Sequence, residues 1–129
     1  MRLEQALRRA IARHLGAHVG AGWWKQRVPE TIRSSCKLSQ TKAGGEGRPF
    51  IDYAHVGEYR DIMLRADNWR EVFEPIFGSK VQVEAYFEWC TEARVEIGHS
   101  RPLRNELWTA FNFAARRLIA GFEEPGAGS

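Results

Sequence analysis

Apolar residues recur along this chain with the spacing of helices. Leu3, Leu7, Ile11 and Leu15 stand four apart, and Ala6 and Ala10 widen the stripe, which predicts an amphipathic first helix. At about 100° per residue, Arg2, Arg9 and Arg13 share a second stripe roughly opposite. His14 falls inside the apolar stripe and reads as a satisfied core histidine. Gly16, Gly20 and Gly22 are expected to break the helix, and Trp23-Trp24 to anchor the chain on the core. Pro29 at a first helical position, followed by Glu30, predicts a second helix to about Lys37 or Leu38. Ser39 to Pro49, with Gly44, Gly45 and Gly47, has the composition of an exposed, mobile loop.

From Ile51 to Arg65 the positions Tyr53, Val56, Tyr59, Ile62 and Met63 again have helical spacing. Asn68 is placed to cap a short helix from Trp69 to Ile76, which Pro75 should stop. Val81 to Ile97 is expected to be a core helix with Val83, Tyr86, Cys90, Ala93 and Ile97 inward and Glu84, Glu88 and Val95 outward. A last helix from about Leu103 to Gly121 should bury Leu107, Trp108, Phe111, Ala115, Leu118 and Phe122, with Phe113 pointing away. No alternating strand pattern and no internal repeat competes. The expected fold is all-α, an antiparallel bundle of four to five helices in one domain over residues 1–122, followed by a linker-like tail over 123–129.

Composition adds limits. With 129 residues and 43% apolar content the chain can bury one core without disulfides or metal. Cys36 and Cys90 stand far apart, with no CxxC pair and no Cys/His cluster for zinc, so both read as reduced thiols and neither metal nor cofactor is expected. The N-terminal residues hold no apolar run of signal-peptide or membrane-span length, so a soluble, cytoplasmic protein is expected. Charge is uneven: residues 1–48 carry ten Lys/Arg against three Glu, and residues 49–129 carry nine against thirteen acidic residues. A basic segment of this kind attracts polyanions, although solvated helix faces have the same composition.

Arg94 and His99 form an Arg-x4-His pair in the segment Arg94-Val95-Glu96-Ile97-Gly98-His99-Ser100-Arg101-Pro102. RNA cleavage by phosphoryl transfer needs a group that moves protons near neutral pH, which histidine supplies. It also needs fixed positive charge on the phosphorane oxygens, which the arginine fork supplies without magnesium. The spacing alone is common here, because Arg8 and Arg9 precede His14, Arg13 precedes His18 and Arg48 precedes His55 within the same limits. What distinguishes Arg94 and His99 is position. Gly98 reads as a C′ residue and Pro102 prevents the helix from resuming, which would set His99 just past a helix C-terminus, where the dipole favours imidazolium. Arg94 follows Phe87 by seven residues, which places it at the lip of a groove with its stem packed. The alternative is a surface arginine paired with an acidic neighbour and a histidine capping terminal carbonyls.

The run Asp67-Asn68-Trp69-Arg70-Glu71-Val72-Phe73-Glu74-Pro75-Ile76-Phe77-Gly78, followed by Arg94-x4-His99-Ser100-Arg101-Pro102-Leu103, resembles the HEPN superfamily. It is most similar to the branch found in the yeast transcript-surveillance endoribonuclease and related bacterial proteins. The resemblance spans about residues 51–104, with a weaker match in the first helix and Trp23-Trp24. It implies a bundle of four or five helices, often a dimer whose motifs face each other. It also implies a metal-independent endoribonuclease of toxin–antitoxin, phage-defence or RNA-processing systems, cutting by 2′-hydroxyl transphosphorylation. Carried over by motif, Arg94 and His99 are the catalytic pair and Arg101 a phosphate contact, with Arg9 and Arg13 as further RNA-binding candidates. An antitoxin, or a fused ATPase or sensor, is the implied protein partner. Active members follow the arginine with Asn, Asp or His, whereas this chain has Val95. The alternative function is accordingly a HEPN domain that binds RNA, senses or dimerises without cutting.

Overall fold

The computed structural model describes residues 2–45, 47–98 and 104–123, and all regular structure among them is helical. The first helix, α1 (Arg2–Val19), buries Leu3, Leu7, Ile11 and Leu15 as its periodicity predicts. Each contributes about 1.5–3 kcal/mol by leaving water. The helix runs through Gly16 and stops at Gly20 (φ 99°), whose N–H donates to Gly16 O at 2.8 Å. Gly20 adopts the left-handed conformation that suits a residue just past a helix end, whereas Gly16 faces the Trp23 indole. The short α2 (Trp23–Arg27) presents Trp23 and Trp24 to the core, and Trp24 stacks on Phe50 at 5.9 Å.

Val28, buried and extended before Pro29, leads into α3 (Glu30–Lys42). Pro29 is the residue before the first turn, and the helix outlasts the expected end by about one turn, so Ser39–Lys42 is helix. Gly44 (φ 98°) and Gly45 (φ 68°) end it, with Gly45 N–H donating to Gln40 O at 2.9 Å. The expected single helix over 51–65 is divided. A 3₁₀ turn, Phe50–Tyr53, is followed by extended Ala54 and His55, and α4 (Val56–Leu64) begins after them. Glu58 Oε1 accepts from the His55 N–H at 3.2 Å, capping the start of α4.

Asn68 does not cap a helix. It lies in helical conformation between α5 (Ala66–Asn68) and a π turn, Trp69–Phe73, and is fully buried. Its Nδ2 donates to Arg27 O and Ile62 O, both at 2.8 Å, tying α2 and α4 together. The π turn also explains why Pro75 does not stop the chain: Glu74 N–H reaches back to Trp69 O, and this wider turn accommodates the proline at the start of α6 (Glu74–Phe77). Gly78 (φ 81°) ends α6.

The two long helices α7 (Lys80–Gly98) and α8 (Asn105–Glu123) pack on each other more extensively than any other pair. On α7 the buried residues are Val83, Phe87, Cys90 and Ala93, while Ile97, expected inside, is 51% exposed. On α8 they are Leu107, Ala114, Leu118 and Phe122, and Trp108, expected inside, is exposed and stacks on Phe111 instead. Gly121 lies against Phe77 so closely that a Cβ there would overlap the ring, and α8 meets α6 through this gap. A single apolar cluster joins residues from Leu3 to Phe122, with Tyr59, Phe73 and Phe87 its largest fully buried members. Within it Cys36 and Cys90 are free thiols, pushed up by burial to about 11 and about 12 respectively. None of the described helices is long and apolar enough to cross a membrane.

Candidate functional site

Arg94 lies on the last third of α7, where the helix passes the start of α4. A shallow groove of about 460 Å³ runs between them, lined by His55, Val56, Gly57, Thr91, Arg94, Val95 and Gly98. The placement follows from α7's phase. Phe87 and Cys90 hold the helix down on the core, and the residue after buried Ala93 emerges at its edge. The Arg94 side chain is 46% exposed, and its Nη1 stands 3.8 Å from Glu4 Oε1 in the first turn of α1. Glu4 is shared with Arg8 at 3.9 Å. Arg8 Nε–H in turn donates to the Tyr59 hydroxyl at 3.1 Å, and that hydroxyl donates to Ile51 O at 3.0 Å. Burial pushes the Tyr59 phenol up, which keeps it protonated as the donor at the base of this chain.

His55 enters the groove from the opposite wall. Its ring packs over Gly57, where a Cβ would lie 3.2 Å from Cε1. Its Nε2 is 3.4 Å from Glu58 Oε1, and the side chain remains 53% exposed. Thr91 Oγ1 donates to Phe87 O at 2.9 Å and presents its oxygen lone pairs alongside. A guanidinium, an imidazole and a hydroxyl therefore border one concave surface. Chemically, such a set can hold an anion and exchange a proton with it.

The sequence candidates divide three ways. Arg94 is at the groove. His99 and Arg101 lie outside the described residues, and Gly98, the last described residue of α7, carries no left-handed φ, so the helix is not ended there by a C′ glycine. Arg9 and Arg13 are exposed on α1, but they border a different hollow, between α1 and α8, with Ala10, Ile119 and Phe122. There the His14 ring packs on Phe122 at 5.5 Å, and burial, followed by the charge of Arg13, lowers its pKa. His55 shares the common Arg-x-His spacing through Arg48, and nothing in its local sequence marks it as facing Arg94.

Tertiary contacts also change the charge picture. Arg27 in the basic half pairs with Asp67 at 3.5 Å and Glu71 at 2.9 Å in the acidic half, and His18 meets Glu71 at 2.9 Å. Part of the N-terminal excess is therefore answered internally. On the other side of His55 the surface turns acidic, with Asp61, Glu84, Glu88 and Glu92. Among the described residues no three His, Cys, Asp or Glu side chains gather as a bound metal ion would require.

Compared with protein-family models, curated proteins and solved structures, the chain matches none. The HEPN resemblance accordingly rests on the residues quoted for it.

Proposed function

We propose that this chain is a metal-independent endoribonuclease of the HEPN type, in which Arg94 binds the scissile phosphate and His99 transfers the proton. The supporting observation is the guanidinium of Arg94, half-exposed at the edge of a groove and 3.8 Å from Glu4. Half in solvent at the groove's edge, it keeps donors available to a phosphate. In the reaction the 2′-hydroxyl oxygen attacks the adjacent phosphorus as its proton is removed. The P–O5′ bond then breaks, the departing 5′-oxygen takes up a proton, and a 2′,3′-cyclic phosphate remains. Arg94 carries the charge that builds on the non-bridging oxygens. The five longer helices α1, α3, α4, α7 and α8 agree in number with the bundle the resemblance implies. The same resemblance supplies the homodimer, with two motifs across one cleft, and the antitoxin or sensor partner.

Val95 favours a second reading. It is 49% exposed and lines the same groove, so an apolar side chain stands where a polar orienting group would be. In that reading the domain binds RNA or dimerises without cutting. The deciding experiment incubates the purified protein with RNA in the presence of a chelator. The nuclease reading expects cleavage with 2′,3′-cyclic phosphate ends, lost in both Arg94→Ala and His99→Ala. Cleavage that survives either substitution removes this site, and RNA binding without cleavage selects the second reading.

A further inference from the structure

We infer that the groove between α7 and α8 binds an unpaired nucleotide, its base against Trp89 and Phe113 and its phosphate on Arg117. The inference rests on the RNA reading for its ligand class, but on different residues from those of the Arg94 groove.

Along the seam of α7 and α8, Val83, Phe87 and Cys90 of the first helix and Ala114 and Leu118 of the second are buried in the core cluster. Outside that seam, Tyr86 and Trp89 from α7 meet Phe113 from α8, with ring centroids 6.0 Å (Tyr86–Phe113), 6.4 Å (Trp89–Phe113) and 6.5 Å (Tyr86–Trp89) apart. Phe113 stays 47% exposed. Scattered apolar residues on a surface are ordinary, but here exposed Phe113 and half-buried Tyr86 and Trp89 form an aromatic wall beside a cleft. The cleft they border has a volume of about 540 Å³. That lies within the range of roughly 300–1,000 Å³ typical of small-molecule sites.

Charge and shape select the occupant. Among the described residues, apart from Tyr86, the one ionisable side chain lining the cleft is Arg117, whose guanidinium carbon sits 5.2 Å over the Phe113 ring. Gln82 adds an amide at the rim. Planar π faces, a planar cation and an amide together suit a flat ring carrying an anionic group. An RNA base offers its face to aromatic side chains only when unstacked, so a single strand fits and a duplex does not. The opposite flank of α7, bearing Glu84, Glu88 and Glu92, repels a phosphate chain and leaves it the Arg117 side. A second copy is a poorer occupant, because a two-fold contact would set one concave face against another, leaving each groove unfilled.

The test is a fluorescence-anisotropy titration of a short labelled oligouridylate into wild type, Phe113→Ala, Trp89→Ala and Arg117→Gln. Each change is expected to weaken binding roughly tenfold, as loss of one stacked base or its charge partner does. Trp108→Ala, on α8 but away from the cleft, should bind as wild type. Because Trp89 is partly packed, thermal melts accompany the series, and Phe113→Ala alone decides if Trp89→Ala unfolds. Unchanged affinity in Phe113→Ala and Arg117→Gln overturns the inference, as does equal affinity for a duplex. Sedimentation velocity on the same variants detects the other occupant: loss of self-association with RNA affinity intact assigns the face to a second copy and overturns it too. Absence of cleavage with Phe113-dependent binding would remove the nuclease reading and leave this site standing. Cleavage that needs Arg94 and His99 but not Phe113 does the reverse.

Discussion

The guanidinium of Arg94 stands 3.8 Å from the carboxylate of Glu4, joining the last third of α7 to the first turn of α1. The pair is long and its arginine is half in solvent, so it contributes on the order of 0–1 kcal/mol to stability. Arg94→Ala is therefore expected to leave urea unfolding within about 1 kcal/mol of wild type. If the nuclease reading holds, the same change lowers cleavage by about 100-fold or more, the usual effect of removing a charge-stabilising donor. Parallel loss of folding and activity would return Arg94 to a structural role.

Asn68 is the one described buried polar side chain in the core, and its amide holds two backbone carbonyls from separate elements. Asn68→Ala strands both acceptors. At about 1–3 kcal/mol for each unsatisfied buried group, a loss of roughly 2–4 kcal/mol is expected in equilibrium unfolding. A cost below about 1 kcal/mol would show that water replaces the amide.

Gly121 and Phe77 form a close approach of α8 to α6. Gly121→Ala improves intrinsic helix propensity yet forces its methyl into the ring, so it should destabilise by about 1–3 kcal/mol. Adding Phe77→Leu should recover part of that loss, and a double-mutant cycle measures the coupling. Strict additivity would mean that the two residues do not meet in solution.

Acid sensitivity should centre on Glu71. A hydrogen bond from His18, then one from Arg27, holds its carboxyl down at about 2 from an ordinary 4.5. A depressed carboxylate contributes stability that is complete above the unfolded value and lost as pH falls through the folded one. Glu71→Gln should thus melt below wild type at pH above about 4.5, and the two curves should converge towards pH 2. Melting temperatures recorded down that pH range check the sign, and a gap that widens on acidification would contradict it.

How much could be read in advance differs from element to element. The α1 stripe was legible because Leu3, Leu7, Ile11 and Leu15 repeat without interruption and a single face has to be covered. The phases of α7 and α8 were less so, since each carries more apolar residues than one face accepts. Ile97 and Trp108 fit a helical stripe as well as Phe87 and Ala114 do, and only the packing of one helix on the other put the first two outside. Asn68 looked like a cap by residue type, but its partners Arg27 and Ile62 come from elements the local sequence does not mention.

The candidate site divides along the same line. Helical content, one apolar core and the position of Arg94 at the edge of a long helix follow from local periodicity, which depends only on near neighbours in the chain. Arg94's contact with Glu4, its sharing of a groove with His55, and the meeting of Tyr86 and Trp89 with Phe113 join residues distant in sequence. Those were decided by tertiary structure, because helices are placed by the shape of the surfaces they bury rather than by the residues they leave exposed.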